Sequence, residues 1–357
     1  MSKPIIIVLI IAVFTVLLLL FAGAGIMWYN AGEYLPAARE TVPVSSASAQ
    51  RPDRFQPIEL YSWNIGYASL DTREDFFTEG GKSIRPASAS IVEENIWAIQ
   101  AFISASSPDI VFLQEVDVNS RRSYGINQAA YFSETWKGSS SFAYNFKCLF
   151  VPVFFPFPHF IGRVESGLLI LNSYNSTAER ISLHGDFPWP ERIYRQKHCL
   201  LVERVPVQDT GVELVLVNLY LDAYDSDGGG RLAQTKVLAE FLKAEYARGN
   251  YCIAGGDFNQ VFPALKDVFP VQSNLYFSPG MVDNSLFDEG WILAADPEVP
   301  SRRSLDKPYE GSREGHQFYI TDGFILSPNV ELLSVHTLDL DFKNSNHNPV
   351  KLTFSLK

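Results

Sequence analysis

The chain has 357 residues, with 29 basic and 40 acidic side chains, a formal net charge of −11 at pH 7 and an isoelectric point near 5.1. This acidic balance argues against a protein that holds nucleic acid mainly through a basic face. The cysteines Cys148, Cys199 and Cys252 lack metal-ligand spacing, and two of them lie in apolar runs. They therefore predict neither a zinc site nor an essential disulfide.

The amino-terminal segment is an uncharged apolar run from Ile5 to Tyr29. It is long enough to cross a bilayer core of roughly 30 Å at about 1.5 Å per residue, so we predict a transmembrane signal-anchor over residues 1–29. Ala22-Gly23-Ala24 also fits a signal-peptidase site, which leaves cleaved secretion as the alternative, but the apolar run continues past it. Lys3 precedes the run, and the positive-inside rule then places the amino terminus in the cytoplasm and the rest of the chain outside it.

A loose linker is predicted over residues 30–57, and a single large domain over residues 58–357. Runs of β-branched and aromatic residues predict strands over 58–63, 110–113, 167–171, 199–204, 213–219, 251–254, 318–326 and 350–354. Apolar side chains at three- and four-residue spacing predict helices over 91–104 and 231–246. Since no strict βαβ rhythm appears, we expect an α/β (α+β) fold, a four-layered sandwich of two mixed β-sheets flanked by helices.

Polar residues stand where several of these predicted strands end. They are Asn64, Glu115, Asp257, Asn259 and, just before the last strand, His347. Each by itself also fits a turn former or a surface side chain. Together they indicate a site, because a scaffold of strands fixes the backbone at such ends while the side chains face a cleft.

Six short blocks carry these residues in order. The blocks are Trp63–Gly66, Val111–Val116, Leu216–Leu221, Gly255–Asn259, Thr321–Leu326 and Ser345–Pro349. In this order and at this spacing they resemble the signature blocks of the endonuclease/exonuclease/phosphatase superfamily, and the resemblance extends from Glu59 to the carboxyl terminus. It implies a two-sheet fold and a phosphoester hydrolase.

The resemblance also implies a divalent metal, Mg²⁺ with Mn²⁺ as the alternative. A phosphodiester is anionic and gathers further charge on its oxygens as it reacts, which a hard cation stabilises. Magnesium prefers a few oxygen ligands, and we expect Glu115 and Asn64 to supply them.

The same resemblance assigns the catalytic roles. Asp257 orients or deprotonates the attacking water, and Asn259 donates hydrogen bonds to the phosphoryl oxygens. His347, held by Asp322 through its other ring nitrogen, stabilises the developing charge or assists proton transfer. A lone histidine would have neither its tautomer nor its orientation fixed.

Two positions depart from the superfamily pattern. Tyr220 replaces a histidine, as in some abasic-site nucleases, which puts the acid role of that position in doubt. Asn346 replaces an aspartate that touches a metal or its waters, so an oxygen ligand remains but its charge is lost. The expected metal ligands are therefore Glu115, Asn64 and Asn346.

Three arginines are candidates for contact with an anionic substrate at the rim of the cleft: Arg231, Arg121 and Arg122. A solvated face or a helix-end charge is the alternative explanation, and the sequence slightly favours it. The segment from Phe146 to Phe160 is unusually aromatic; it predicts either an apolar lip for lipid or a nonpolar leaving group, or ordinary core packing.

The leading hypothesis is a metal-dependent hydrolase of phosphodiesters or phosphomonoesters that acts outside the cytoplasm. The anchor, the acidic surface and the aromatic segment favour a lipid head group or a small nucleotide, whereas Tyr220 favours nucleic acid. An extracytoplasmic nuclease on DNA and a non-catalytic binding module that retains the fold are the alternatives. The membrane is the expected partner through the amino-terminal helix, and no obligate protein partner is evident.

Overall fold

A computed structural model of the protein describes residues 3–45, 49–151, 160–183, 191–223, 229–272 and 277–357. Over these residues the helices are α1 (Lys3–Glu33), α2 (Ala89–Ser106), α3 (Gln128–Thr135) and α4 (Gly229–Ala247). The strands are β1 (Arg39–Val42), β2 (Val44–Ser45), β3 (Ile58–Asn64), β4 (Ile110–Asp117), β5 (Ser139–Val151), β6 (Gly162–Asn172), β7 (Thr177–Ser182), β8 (Cys199–Pro206), β9 (Glu213–Tyr220), β10 (Tyr251–Asp257), β11 (Gln260–Val261), β12 (Gly280–Met281), β13 (Ile292–Ala294), β14 (Arg302–Arg303), β15 (Phe318–Tyr319), β16 (Asp322–Leu326), β17 (Val330–Thr337) and β18 (Val350–Leu356). Both predicted helices and all of the predicted strands except the one over 318–326 have a single counterpart in this series.

Most of the strands form two seven-stranded sheets. The first has the order β1-β7-β8-β9-β10-β16-β13 and the second the order β17-β18-β3-β4-β6-β5-β2. The β9–β10 and β3–β4 pairs are parallel, and their neighbours in both sheets are antiparallel. Both sheets are therefore mixed, as the sequence predicted.

The two sheets pack face to face and helices cover their outer faces. Leu60 of the second sheet and Leu216 of the first belong to the same buried cluster between the sheets. Ile96 of α2 and Phe132 of α3 pack on the outer face of the second sheet, and Leu238 of α4 packs on the outer face of the first. The predicted four-layered sandwich is confirmed.

The central strands read as continuous apolar runs because both of their faces are buried. In β4, Ile110 and Phe112 point into the core between the sheets, whereas Val111 and Leu113 point toward the helices. Burial of one such side chain stabilises the fold by about 1.5–3 kcal/mol. A strand covered on both faces needs apolar residues at every position, and this is the pattern that made these strands predictable.

The single strand predicted over 318–326 is wrong, because the structure divides it in two. β15 pairs with β14 in a small separate sheet, whereas β16 joins the first large sheet. The hydroxyl oxygen of Ser301 accepts the backbone N–H groups of Thr321 and Asp322, both at 3.1 Å. Ser301 thereby takes donors that a strand ladder would otherwise use, and the chain turns at the point where the site begins.

The loose linker predicted over residues 30–57 is also corrected. β1 pairs with β7 at the edge of the first sheet, and β2 pairs with β5 at the edge of the second. The segment contributes an edge strand to each sheet. Such short edge strands are mostly exposed, so they lack the apolar pattern that reveals a central strand. Residues 46–48 of the predicted linker lie outside the described residues.

The helix α1 is long and apolar enough to cross a membrane. Its segment Lys3–Tyr29 has a mean hydropathy of 3.5, and its most apolar stretch of 18 residues has no residue buried in the protein. A signal sequence near an amino terminus has the same properties, so the helix agrees with the prediction of a membrane span without fixing its topology.

Candidate active site

The ends of several strands meet at one edge of the two sheets and surround a cavity of about 410 Å³. β3 and β4 run in parallel, as do β9 and β10, so each pair brings its carboxyl ends to the same edge. Asp257 ends β10 and lies between Tyr220 of β9 and Asp322 of the antiparallel β16. Of the predicted site residues, the cavity lining includes Asn64, Glu115, Arg122, Tyr220, Asp257, Asn259, Asn346 and His347.

His347 and Asp322 form a buried pair beneath the cavity. Nδ1 of His347 lies 2.9 Å from Oδ2 of Asp322, and the same carboxyl oxygen accepts a hydrogen bond of 2.7 Å from the Ser301 hydroxyl. This contact fixes the imidazole ring, with its Nε2 atom 3.7 Å from Oδ2 of Asp257. The structure therefore places the predicted histidine–carboxylate pair as the sequence suggested.

Asp257 is held between two asparagines. Its Oδ2 accepts a hydrogen bond of 3.1 Å from the Asn64 side chain, and its Oδ1 accepts one of 2.9 Å from the backbone N–H of Asn259. Asn259 has a positive φ of 48°, a conformation that asparagine tolerates better than most residues. The tight turn after β10 thus aims both side chains at the cavity.

Burial disfavours the charged forms of His347, Asp322 and Asp257. It lowers the pKa of His347 to about 4 and raises the pKa of Asp322 to about 7. Burial also raises the pKa of Asp257, and the neighbouring charge of Asp322 adds to that effect. At neutral pH the imidazole is therefore uncharged, which leaves a ring nitrogen able to accept a proton.

Glu115 reaches the cavity through a bulge in β4. The pairing with β6 shifts register between Leu113 and Val116, and Glu115 itself has a positive φ of 54°. Burial raises the pKa of the Glu115 carboxyl, whereas the charge of Arg122 and a hydrogen bond from Tyr220 lower it. A bulge beside an active site commonly redirects one side chain in this way.

Among the predicted site residues, two buried side-chain oxygens have no hydrogen-bond partner in the described part of the chain: Asn346 Oδ1 and Asp322 Oδ1. A Cβ atom on Gly66, where φ is +51°, would lie 3.0 Å from Asn346 Oδ1, so this glycine leaves space beside that oxygen. Ligand atoms of Asp257, Asp322 and His347 all lie within 4.8 Å of one another. Buried polar atoms are normally satisfied, and an oxygen-rich donor set with unsatisfied members fits a hard divalent cation.

Sequence reasoning missed a buried ion pair that borders the cavity. Arg302 donates 2.8 Å to the side-chain oxygen of Asn259 and also binds Glu79, and its guanidinium lies 3.6 Å from the centre of the Phe277 ring. Glu79 ends a three-residue 3₁₀ helix and Arg302 begins the two-residue strand β14, 223 positions away, and elements this short show no periodic pattern. Their strong burial, beside an asparagine of a recognised block, is visible only in the fold.

The three predicted substrate-binding arginines occupy different places. Arg231 is buried behind the turn after β10, where it donates 3.2 Å to the backbone carbonyls of Asn259 and Ser278. Arg121 donates 2.8 Å to the carbonyl of Phe160 and is not among the cavity-lining residues. Arg122 lines the cavity and also pairs with Asp117 at 2.9 Å. The fold thus brings only Arg122 to the site.

A second histidine, His198, lines the cavity and was not recognised in the sequence. Its Nδ1 lies 2.8 Å from the backbone carbonyl of Tyr220, and the two rings are 5.6 Å apart. Since a carbonyl can only accept, Nδ1 carries a proton. His198 therefore fixes the end of β9 at the position where the superfamily pattern has a histidine and this chain has Tyr220.

The aromatic segment from Phe146 to Phe160 is only partly described, because residues 152–159 lie outside the described residues. Phe146 and Val151 line the cavity together with Ile161 and Tyr194. Phe146, Cys148, Val151 and Val164 form a small buried cluster of their own. The described part packs as a cluster and also presents apolar side chains to the cavity.

A family model and several solved structures resemble this chain. Residues 61–266 match the model of the Endonuclease/Exonuclease/phosphatase family. No curated protein sequence matches the chain. A solved endonuclease/exonuclease/phosphatase from Beutenbergia cavernae DSM 12333 aligns with a TM-score of 0.60 at 17% identity, over 84% of this chain and 72% of that one.

Two further solved structures have the same fold. The endonuclease/exonuclease/phosphatase from Bacteroides vulgatus aligns with a TM-score of 0.54 at 13% identity, over 85% of this chain and 100% of that one. TDP2 from Caenorhabditis elegans aligns with a TM-score of 0.51 at 14% identity, over 85% and 75% of the two chains. At these identities the likeness establishes the shared fold.

Proposed function

Because the chain belongs to the endonuclease/exonuclease/phosphatase family, whose members hydrolyse phosphoesters, we propose that it is a divalent-metal-dependent phosphodiesterase acting outside the cytoplasm. The observation that carries this proposal is the close cluster of Asp257, Asp322 and His347, in which Asp257 and His347 line the cavity and Asp322 holds His347 from beneath. The catalytic domain would extend over residues 58–357, supported by the edge strands β1 and β2.

The reaction is the attack of a water molecule on phosphorus. The water oxygen forms a bond to phosphorus, the P–O bond to the leaving alcohol breaks, and the leaving oxygen takes a proton. Asp257 orients the water and, with the uncharged imidazole of His347, accepts its proton. Asp322 keeps the imidazole in position, and Tyr220 lies within reach of Glu115 to donate a hydrogen bond at the same edge.

The phosphoryl oxygens would contact donors that line the same cavity as Asp257. The Asn259 amide donates one hydrogen bond of 2.9 Å to the carbonyl of Leu221, and its oxygen is taken by Arg302. The amide is therefore held rigidly, and its second N–H is available for substrate. Arg302 and Arg122 add positive charge to the lining of the cavity.

Mg²⁺, or Mn²⁺ in its place, would be held by Glu115, Asn64 and the free side-chain oxygen of Asn346. When bound, the cation supplies charge that neutralises the phosphate and stabilises the transition state. Asn64 also donates to Asp257, so this residue couples the metal ligands to the group that orients water.

The proposed topology follows from α1. The helix would anchor the chain in a membrane with its amino terminus in the cytoplasm and the cavity on the other side. A nuclease acting on extracytoplasmic DNA is the second candidate, favoured by Tyr220 and opposed by the net charge of −11.

The experiment uses the full chain in detergent micelles, because a fragment that starts after residue 45 would lack β1 and β2. Release of p-nitrophenol from bis-p-nitrophenyl phosphate is followed with Mg²⁺, with Mn²⁺ and with EDTA. We expect metal-dependent release that EDTA stops and that His347→Ala removes. The variant His336→Ala, at an exposed position of β17, is the matched control. Release that persists equally in EDTA and in His347→Ala would overturn the proposal, and faster cleavage of DNA than of small diesters would favour the nuclease.

A further inference from the structure

The cavity has a polar end and an apolar end. The polar end contains the carboxylates, amides and His347 described above. Two small clusters, separate from the main cores, form apolar walls. One contains Phe146 and Val151, with Ile161 and Tyr194 packed against it. The other contains Tyr67, Leu70 and Leu305, with Phe76 packed against it. Side chains of both clusters line the cavity. Apolar walls of this kind suit an apolar group on the substrate in addition to its phosphate.

The first of these walls lies next to the carboxyl end of α1. Directly after that helix, the Tyr34 hydroxyl donates 3.0 Å to the carbonyl of Tyr144 in β5, and the two rings lie 6.3 Å apart. α1 also contacts the short helical turn Glu191–Ile193, which leads into Tyr194. The Cys148 thiol in turn contacts the carbonyl of Ile193 at 3.8 Å. The wall is therefore packed between the candidate membrane helix and the cavity.

Two exposed aromatic residues mark where a bilayer surface would lie. Trp28 is 83% exposed and Tyr29 is 55% exposed, both at the carboxyl end of the apolar stretch. Such residues are enriched at the membrane–water interface. They precede Tyr34 by five or six residues, so the interface would lie roughly 8–9 Å from the point where the helix meets β5.

The segment that begins in the helical turn carries positive charge in an otherwise acidic chain. Arg192, Arg195 and Lys197 lie within six residues, and Arg195 lines the cavity. Positive charge beside a membrane interface attracts anionic head groups. Charge and apolar surface therefore occur together on the side of the cavity that would face a bilayer.

Resting on the proposed function, we infer that the substrate is a phosphodiester of a membrane lipid. The phosphate lies at the polar end beside His347, and the apolar part of the lipid lies against the wall formed by Phe146, Val151, Ile161 and Tyr194. Water adds to phosphorus and one P–O ester bond breaks, so the products are a phosphomonoester and an alcohol. The anchor keeps the cavity close to the surface from which this substrate comes.

The test measures selectivity rather than activity alone. The full chain, in mixed detergent micelles with Mg²⁺, is given dioleoyl phosphatidylglycerol, its dibutanoyl analogue and bis-p-nitrophenyl phosphate. We expect kcat/KM for the long-chain lipid to exceed that for the short-chain lipid by at least about ten-fold, the contribution of two or so buried methylene groups. Tyr194→Ser and, as a second wall variant, Ile161→Ser should lower this ratio several-fold. The control is Tyr246→Ser, which removes a tyrosine that packs on Trp291, away from the cavity.

The outcomes separate this inference from the proposed function. Equal kcat/KM for both chain lengths, with bis-p-nitrophenyl phosphate still cleaved in a metal-dependent way, overturns the lipid inference and leaves the hydrolase. The same holds if a dinucleotide is cleaved faster than the lipid. A chain that cleaves none of the phosphoesters with Mg²⁺ or Mn²⁺ contradicts the proposed function itself.

Discussion

The polar floor of the cavity, formed by Asp257, Asp322 and His347, and its apolar wall, formed by Phe146, Val151, Ile161 and Tyr194, are stabilised by different interactions. On the floor, Asp257 and Asp322 are held by several hydrogen bonds each, and His347 by its contact with Asp322. On the wall, Phe146 and Tyr194 are held by apolar packing in a small cluster. Hydrogen bonds fix direction, whereas packing fixes volume and hydrophobicity. The floor is thus suited to determine the reaction, and the wall to determine which leaving group is accepted.

The largest effect should come from removing the base on the floor. His347→Ala is expected to lower kcat by about 10²–10⁴-fold at saturating Mg²⁺, because no other group can replace the Nε2 atom beside Asp257. Steady-state kinetics measures the loss of kcat. Isothermal titration calorimetry with Mn²⁺ checks that the variant still binds metal. Loss of Mn²⁺ binding in this variant, with His336→Ala unaffected, would show that His347 is a metal ligand instead.

A smaller effect is expected from the proposed metal ligand. Glu115→Gln keeps the shape of the side chain but loses its charge, so the Mg²⁺ concentration for half-maximal activity should rise by at least about ten-fold. Much of the activity should return at high Mg²⁺. Glu240→Gln, at an exposed position of α4, serves as the matched control. A loss that Mg²⁺ does not relieve would contradict the assigned role.

A gain is expected at the position that departs from the superfamily pattern. Asn346→Asp adds a negative charge to the oxygen that has no partner among the described residues, so Mg²⁺ affinity should rise roughly five-fold. Asn344→Asp is the control, since the Asn344 side chain donates instead to Asn95. An unchanged or lower Mg²⁺ affinity of Asn346→Asp would mean that this oxygen does not face the cation.

The smallest effect concerns a carboxyl group far from the floor. Glu203 is fully buried between the sheets and accepts hydrogen bonds from Asn172 at 2.8 Å and Ser176 at 2.9 Å. Burial raises its pKa, so the wild-type protein loses stability as the pH rises from the unfolded pKa toward the folded one. Glu203→Gln removes that loss.

The measurement is the free energy of unfolding in urea at pH 5 and pH 8. The free energy of unfolding of Glu203→Gln relative to wild type should be larger at pH 8 than at pH 5. The expected increase is about 1.4 kcal/mol for each pH unit by which burial raises the pKa of Glu203 within this range. A difference that does not change with pH would show that the carboxyl is not shifted.

The floor could be predicted from the sequence because its residues follow apolar strands. β4 and β10 are buried on both faces, so their apolar runs are conspicuous, and Glu115 and Asp257 stand where those runs end. Local pattern and three-dimensional position coincide at such strand ends. Arg302 and Glu79 lie in very short elements far apart in the chain, and only the fold brings them together.

The edge of the molecule was harder to predict than its centre. β1 has one buried residue, Val42, and β2 has none, so neither shows an alternating pattern. The sequence also could not show that Arg231 lies behind the turn after β10. An arginine at the start of a helix is as well suited to support a backbone turn as to bind an anion. In the folded protein Arg231 donates to the backbone carbonyls of Asn259 and Ser278.

The central claim, that water attacks phosphorus on this floor, is tested most directly by hydrolysis in ¹⁸O-labelled water. The full chain with Mg²⁺ cleaves bis-p-nitrophenyl phosphate, and ³¹P nuclear magnetic resonance and mass spectrometry locate the label. We expect one ¹⁸O atom in the p-nitrophenyl phosphate, none in the p-nitrophenol, and at least about 10²-fold slower formation of labelled product by His347→Ala. Label in the alcohol, or labelled phosphoester formed equally by His347→Ala, would contradict the account.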